Sequence, residues 1–308
     1  MVSLFDWPIQ FAPVNGVRIA YRMGAHGKPA LLLLHGHPQT HVLWHTMWDE
    51  LNQHFSCVAI DLRGYGDSSK PKGEPEHTNY SKRCMALDAL QLMASLGYSQ
   101  FKVLAHDRGA RLAHRLMLDH PSVVQAATLL DIAPTLDMYR ATNEAFARAY
   151  YHWFFLIQPQ PLPETLLGHD PVYYCRNVMA GRFGAVGERG FGPFDARAMA
   201  EYERCAASEG WVHAVCEDYR ASAGIDLAHD QASRDAGEKI AMPLQVLWGD
   251  QGVVHRCFKP LELWQAQAAL PVQGGTLPCG HYLAEEAPAA LLAQCLPFLL
   301  GHSSTSHG

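Results

Sequence analysis

The chain has 308 residues, 48% of them apolar, and a formal net charge of −6. An acidic balance argues against nucleic acid as a partner, and no apolar run is long enough to span a membrane. That length allows one large domain or a core with an inserted lobe.

The first eight residues lack the charged-then-apolar pattern of an export signal. The cysteines (Cys57, Cys84, Cys175, Cys205, Cys216, Cys257, Cys279 and Cys295) form no C-x-x-C pair. Neither a zinc knuckle nor a redox dithiol is suggested, and a reducing, cytoplasmic location is expected. Residues 9–23 alternate and break at Asn15-Gly16, which predicts a hairpin. Residues 30–34 are a continuous aliphatic run, the pattern of a strand buried on both faces, ending in His35-Gly36-His37-Pro38. A helix is predicted around 40–53 and a buried strand over 56–60, ending in Asp61-Leu62-Arg63-Gly64-Tyr65-Gly66. Then come an amphipathic helix over 80–96, a strand at 101–105, a helix at 108–119 and a strand at 123–130 ending at Asp131. Strands alternating with helices imply an α/β fold with a mostly parallel, doubly wound sheet.

The alternation stops at Ala133-Pro134. From there to residue 235 the chain is helical in pattern, aromatic-rich and punctuated by Pro159, Pro161 and Pro163. Residues 134–235 therefore read as an inserted helical cap, between core segments 1–133 and 236–300. In the second segment a strand is expected at 243–248, a helix near 260–269, a strand at 272–277 followed by Gly280-His281, and a closing helix over 283–299. Residues 301–308, rich in Ser, His and Gly, read as a frayed tail.

The chemistry centres on Ala105-His106-Asp107-Arg108-Gly109, where a strand pattern meets a helix pattern. Small residues flank the middle position, as a strained nucleophile turn requires. That position holds Asp107, so the attacking atom would be a carboxylate oxygen. An ester formed on it needs a base to activate water and an acid to orient that base. His281, after the last predicted strand, suits the base. Asp131 and Asp250 both follow strands; Asp131 is favoured, because Asp250 sits directly after Gly249 in a tight turn. Nucleophile, acid, histidine is the chain order of α/β-hydrolases. A backbone N–H of the His35–Pro38 segment, with that of Arg108, would form an oxyanion hole. The spacing of His35, His37, His41 and His45 looks metallic, but the segment lacks an acidic ligand, and no metal or organic cofactor is implied. Arg108 and Arg111 lie three residues apart, on one face of the helix's first turn. Two guanidinium forks there suit a substrate carboxylate.

These stretches resemble the fluoroacetate dehalogenases, a group within the α/β-hydrolases. The resemblance rests on His35-Gly36-His37-Pro38, Asp61–Gly66, His106-Asp107-Arg108-Gly109-Ala110-Arg111, Asp131-Ile132-Ala133-Pro134, Tyr151-His152-Trp153 and Gly280-His281-Tyr282. It implies that Asp107 is nucleophile, His281 base and Asp131 orienter, with Arg108 and Arg111 on the substrate carboxylate. It implies halide binding by His152, Trp153 and Tyr219, and a homodimer. One departure is His37, where the family usually has Phe; a polar ring there would line the substrate pocket and bear on its range. The expected reaction is hydrolysis of a short, anionic 2-haloacid, fluoroacetate foremost, to the 2-hydroxy acid and halide. The alternatives are an epoxide hydrolase using the same Asp–His–Asp machinery and a non-catalytic small-acid receptor.

Overall fold

The computed structural model describes residues 3–180 and 192–301. Asn15 (φ 44°) and Gly16 (φ 75°) supply the two positive-φ positions of a tight hairpin turn, joining β1 (Gln10–Val14) to β2 (Val17–Met23). The next strands are β3 (Ala30–Leu34), β4 (Ser56–Ile60), β5 (Phe101–His106), β6 (Val124–Leu130), β7 (Leu244–Gly249) and β8 (Gln273–Leu277). They form one eight-stranded sheet in the order β1-β2-β4-β3-β5-β6-β7-β8. Pairing is antiparallel for β1–β2 and β2–β4 and parallel from β4 to β8. Every residue of β3, β4, β5 and β7 is buried. That explains why β3 reads as an unbroken apolar run and why β4, β5 and β7 are mostly apolar rather than alternating. The parallel arrangement brings the ends of β3, β5, β6 and β8 to one edge of the sheet, where open α/β sheets place their ligands.

Helices of the first core segment are α1 (Trp48–His54), α2 (Lys82–Ser95) and α3 (Asp107–Asp119). Between β6 and β7 lie α4 (Thr135–Arg140), α5 (Glu144–Ala149), α6 (Tyr151–Phe155), α7 (Leu162–Gly168) and α8 (Pro171–Ala180). They are followed by α9 (Ala196–Ala206), α10 (Trp211–Ala223) and α11 (Ile225–Asp235). Among the described residues this insert contains no strand. The chain ends with α12 (Val253–Cys257), α13 (Pro260–Gln265), α14 (Leu283–Glu286) and α15 (Pro288–Gly301). No described helix is long and apolar enough to cross a membrane. The expected tail beyond Gly301 lies outside the described residues.

Three boundaries differ from expectation. The helix expected at 40–53 is a 3-10 turn, His41–Thr46, followed by α1. The closing helix is broken in two at Ala287 (φ −142°, ψ 51°), because Pro288 disfavours helical backbone in the residue before it. Helix α12 was not anticipated: five residues are too few to show a helical period.

Candidate active site

Asp107 opens α3 with φ +44°, a left-handed conformation that a non-glycine residue adopts only when its surroundings enforce it. Those surroundings are visible. A Cβ on Gly36 would stand 2.5 Å from Asp107 Cβ, and one on Gly109 would stand 2.5 Å from the His35 carbonyl oxygen. Both positions must therefore be glycine for the β3 loop to lie against the turn. Gly109 N–H donates to the His35 carbonyl (2.9 Å), and His37 N–H donates to Asp107 Oδ2 (3.0 Å). One carboxylate oxygen is thus held by a backbone donor. Burial works against ionisation of Asp107, but His281, Arg111 and Arg108 outweigh it and hold the carboxyl well below its ordinary range.

Asp131 also has positive φ (+48°). Its Oδ2 lies 2.5 Å from His281 Nδ1, and its Oδ1 accepts from Gly249 N–H (3.1 Å). Burial raises the Asp131 pKa, and the two hydrogen bonds pull it back. With Nδ1 engaged, the tautomer and orientation of His281 are set. Asp250 is exposed. Its strand end turns back through Asp250 N–H to the Leu277 carbonyl (3.0 Å), so the structure brings Asp131, not Asp250, to His281.

The two arginines, both buried, have different surroundings. Arg108 Nε donates to Asp218 Oδ2 (2.8 Å), and its Nη2 donates to the Asp218 carbonyl (2.8 Å) and Ser222 Oγ (2.6 Å). Asp218 also binds Lys82 Nζ and accepts from Tyr65 O–H (2.8 Å). Burial opposes the Arg108 charge, yet Asp218 more than restores it. Arg111 instead has neutral partners: Nη1 donates to the Ala133 carbonyl (3.2 Å) and Thr135 Oγ1 (2.9 Å), and Nη2 lies 3.3 Å from Met138 Sδ. Among the described residues no carboxylate forms an ion pair with it. Arg108 Nη1 and Arg111 Nε are buried without a hydrogen-bond partner, and buried nitrogens of this kind are costly unless a ligand meets them. Sequence reasoning paired the two arginines but missed Asp218, whose chemistry only the packing of α10 against α3 reveals.

Aromatic side chains of the insert close over this edge. The Arg108 guanidinium sits 4.2 Å above the Tyr219 ring and that of Arg111 4.6 Å above Trp153. The His152 and Tyr219 rings are 5.4 Å apart, and Trp153 lies 6.4 Å from Tyr219. All three are buried. His37 faces Tyr219 edge-on at 5.4 Å, and its Nε2 lies 3.1 Å from the hydroxyl of Tyr174. Tyr150 stands 6.4 Å from His281.

The histidines with metal-like spacing diverge. His35 Nε2 accepts from Leu62 N–H (3.0 Å), His41 Nδ1 meets Asp61 (2.7 Å), and His45 Nδ1 meets the Val42 carbonyl (2.8 Å). Glu164, His213 and Glu217 bring ligand-type atoms within 4.8 Å of one another. Arg220 Nη1 already bridges those two carboxylates (2.6 and 2.8 Å), and His213 Nε2 accepts from Gly73 N–H (3.0 Å). A depression of about 1170 Å³ runs along Lys70, Glu164, Glu209 and His213. None of the residues lining it is Asp107, Asp131, Arg111 or His281.

Residues 29–288 match the family described as alpha/beta hydrolase fold. The chain is 40% identical over 275 residues to a fluoroacetate dehalogenase of Burkholderia sp., covering 89% of this chain and 88% of that one. It is 30% identical to a soluble epoxide hydrolase of Corynebacterium sp., covering 93% and 95%. A crystal structure from Nostoc sp. PCC 7120, described as an alpha/beta hydrolase, superposes with a TM-score of 0.91 at 49% identity, covering 97% of this chain and 100% of that one.

Proposed function

Because the chain belongs to the α/β-hydrolases, and within them to the haloacetate dehalogenases that hydrolyse carbon–halide bonds, we propose that it converts short 2-haloacids, fluoroacetate foremost, to 2-hydroxy acids through an ester on Asp107. The observation that carries this is Arg111. A buried guanidinium with only neutral partners, one turn from Asp107, is matched to a ligand that brings its own carboxylate. Asp107 supports the Arg111 charge through space, but an uncharged epoxide would give its unpartnered Nε no carboxylate.

In this reading an Asp107 carboxylate oxygen attacks the α-carbon in line, and the carbon–halogen electron pair leaves with the halide. His152, Trp153 and Tyr219 offer ring N–H and O–H donors to the departing ion. His281 then takes a proton from water, and the oxygen adds to the Asp107 ester carbonyl. The His37 N–H stabilises the oxyanion. Collapse frees the 2-hydroxy acid and restores the Asp107 carboxylate, with one proton released per halide. Asp131 orients His281 and supports its charged form. No step requires a metal or organic cofactor. Residues 134–235 act as a cap that excludes water from the displacement step, while Arg108 and Arg111 hold the carboxylate and His37 lines the pocket. Exposed Leu162, Leu166 and Tyr173 on α7 and α8 would serve as a homodimer face.

The test compares halide release from fluoroacetate, chloroacetate and chloroacetamide with diol formation from a simple epoxide, and follows intact mass in His281→Asn. Expected are halide release from both acids, little from the amide, and an ester adduct on Asp107 in the variant. Epoxide turnover without halide release would replace the reading, and retained turnover with unmodified Asp107 would overturn the covalent step.

A further inference from the structure

His281 belongs to a short turn between β8 and α14. The backbone N–H groups of the residues on either side of it share one acceptor. Glu286 Oε2 accepts from Gly280 N–H (2.8 Å), and Glu286 Oε1 accepts from Tyr282 N–H (2.9 Å). The carboxylate therefore straddles His281, one oxygen on each flank. The approach is close: a Cβ on Gly280 would lie 3.0 Å from Glu286 Oε1, so a side chain there would press on the clasp. A charge-assisted bond to a backbone N–H is roughly twice as strong as a neutral one. Two such bonds fix the peptide planes that aim the imidazole.

The remaining polar group of this peptide unit is held from the opposite side. His106 Nε2 lies 2.8 Å from the His281 carbonyl oxygen. A carbonyl only accepts, so the proton is on Nε2 and His106 is the donor. Burial lowers the His106 pKa to about 3, leaving the ring neutral with a single N–H, and its buried Nδ1 has no hydrogen-bond partner. His106 directly precedes Asp107 on β5. One side chain thus ties the turn that presents the nucleophile to the turn that presents the base, with the two imidazole centroids 4.6 Å apart.

We propose that Glu286 and His106 are positioning residues for His281, Glu286 acting on the hydrolysis of the Asp107 ester and not on its formation. The inference rests on the two-step reading above. Displacement of halide uses Asp107, the arginines and the halide donors, none of which Glu286 touches. Only the second step needs His281 at the right distance and angle from water and ester. A misplacement of about 1 Å costs on the order of a hundredfold in rate.

The experiment separates the steps with chloroacetate in a rapid-quench mixer. Halide release in the first turnover reports ester formation, and intact mass reports the ester fraction at steady state. Glu286→Gln is isosteric but presents an amide N–H to one of the two backbone donors. It should keep first-turnover halide release within about twofold, slow steady-state release at least tenfold, and raise the ester fraction from a minor to the dominant species. His106→Leu should likewise slow steady-state release at least tenfold. His106→Gln, which places an N–H near the lost Nε2, should recover part of the loss. Equal slowing of both phases in Glu286→Gln would reduce the clasp to general packing, and unchanged steady-state turnover there would remove it from the mechanism. Should Glu286→Gln fail to fold, steady-state release in the two His106 variants decides the positioning of His281. If His281→Asn itself gives no ester, the two-step reading fails, an outcome distinct from the failure of this proposal.

Discussion

At the strand edge the reacting groups are held by backbone. Asp107 and Asp131 sit at positive φ, and glycines at 36 and 109 let loops meet at distances no Cβ would allow. The partners of Asp107 Oδ2 and Asp131 Oδ1 are the peptide N–H groups of His37 and Gly249. In the helical insert the same pocket is built almost entirely from side chains. Trp153, His152 and Tyr219 present rings, and Asp218 presents a carboxylate to Arg108. The contrast separates two tasks. In the proposed reaction the backbone-fixed groups serve chemistry that is the same for every substrate. Side chains on helices are the part that sequence change can retune, so substrate choice belongs to them.

The sharpest way to break this division is to change the leaving group. Fluoride is small and basic and needs strong donors as charge develops on it; chloride is diffuse and needs them less. Loss of one donor that acts mainly in the transition state costs about 2.7–4 kcal/mol. Trp153→Phe and Tyr219→Phe should each lower fluoroacetate turnover by roughly a hundredfold or more, with a distinctly smaller loss on chloroacetate. The measurement is the ratio of the two rates, which general damage to the insert leaves unchanged. Equal losses on both halides would make these rings packing and return substrate choice to the strand edge.

A smaller effect sharpens the comparison between the arginines. Charge-assisted hydrogen bonds contribute about 1.5–3 kcal/mol each, so Arg111→Leu should cut kcat/KM by at least roughly tenfold. Arg111 has no resident ion pair to break, so its melting temperature should change little. Asp218→Asn should show the reverse pattern. It leaves Lys82 and Arg108 buried with a weakened counter-charge, and breaking a buried pair costs about 3–5 kcal/mol. That corresponds to a drop in Tm on the order of 10 °C for a chain of this class. Thermal melts and kcat/KM on both variants decide it. If Asp218→Asn melts like the parent, the view of Asp218 as the resident counter-charge fails.

What was legible in the sequence follows the same line. The buried parallel strands β3 and β4 announce themselves as largely apolar runs; Asp107 and Asp131 follow directly on a strand end, and His281 comes four residues after the last one. Position along the chain was enough to find them. Asp218 and Glu286 were not found, because nothing local distinguishes them. Asp218 lies between Glu217 and Tyr219 on α10, and its partners Arg108 and Lys82 are more than a hundred residues away. Glu286 follows another acid, Glu285, and only the turn of the chain around His281 separates their roles. The metal-like histidine spacing misleads for a related reason: the four rings follow a short strand into an irregular turn, and each finds a different partner.

Those two adjacent acids make the last and smallest test. Glu285 is buried, with Tyr202 O–H 3.1 Å from Oε1 and Gln39 Nε2 at Oε2. Tyr202 belongs to the insert (α9) and Gln39 to the loop after β3, so this carboxyl joins the two regions. Burial raises its pKa from 4.5 to about 8, with Tyr202 and Gln39 only partly offsetting. The folded protein then binds one more proton than the unfolded chain between those values. Stability from Glu285 is complete below about 4.5, declines as pH rises, and is gone above about 8. The slope is at most about 1.4 kcal/mol per pH unit. Asp226 and Asp230, each raised by burial to about 6, account for losses at lower pH. His35, His106 and His114, lowered by burial to about 4, 3 and 3, are neutral there in the folded protein but titrate from 6.5 in the unfolded chain, which adds a rise in stability shared by the parent and Glu285→Gln. The interval from pH 6 to 8 is therefore the one in which Glu285 shows. Across it the Tm of the parent should fall relative to that of Glu285→Gln by on the order of 5 °C, leaving the variant the more stable protein at pH 8. Parallel melting curves would mean that Glu285 is ionised throughout, with Tyr202 and Gln39 as its donors, and that the join between insert and strand edge does not depend on pH.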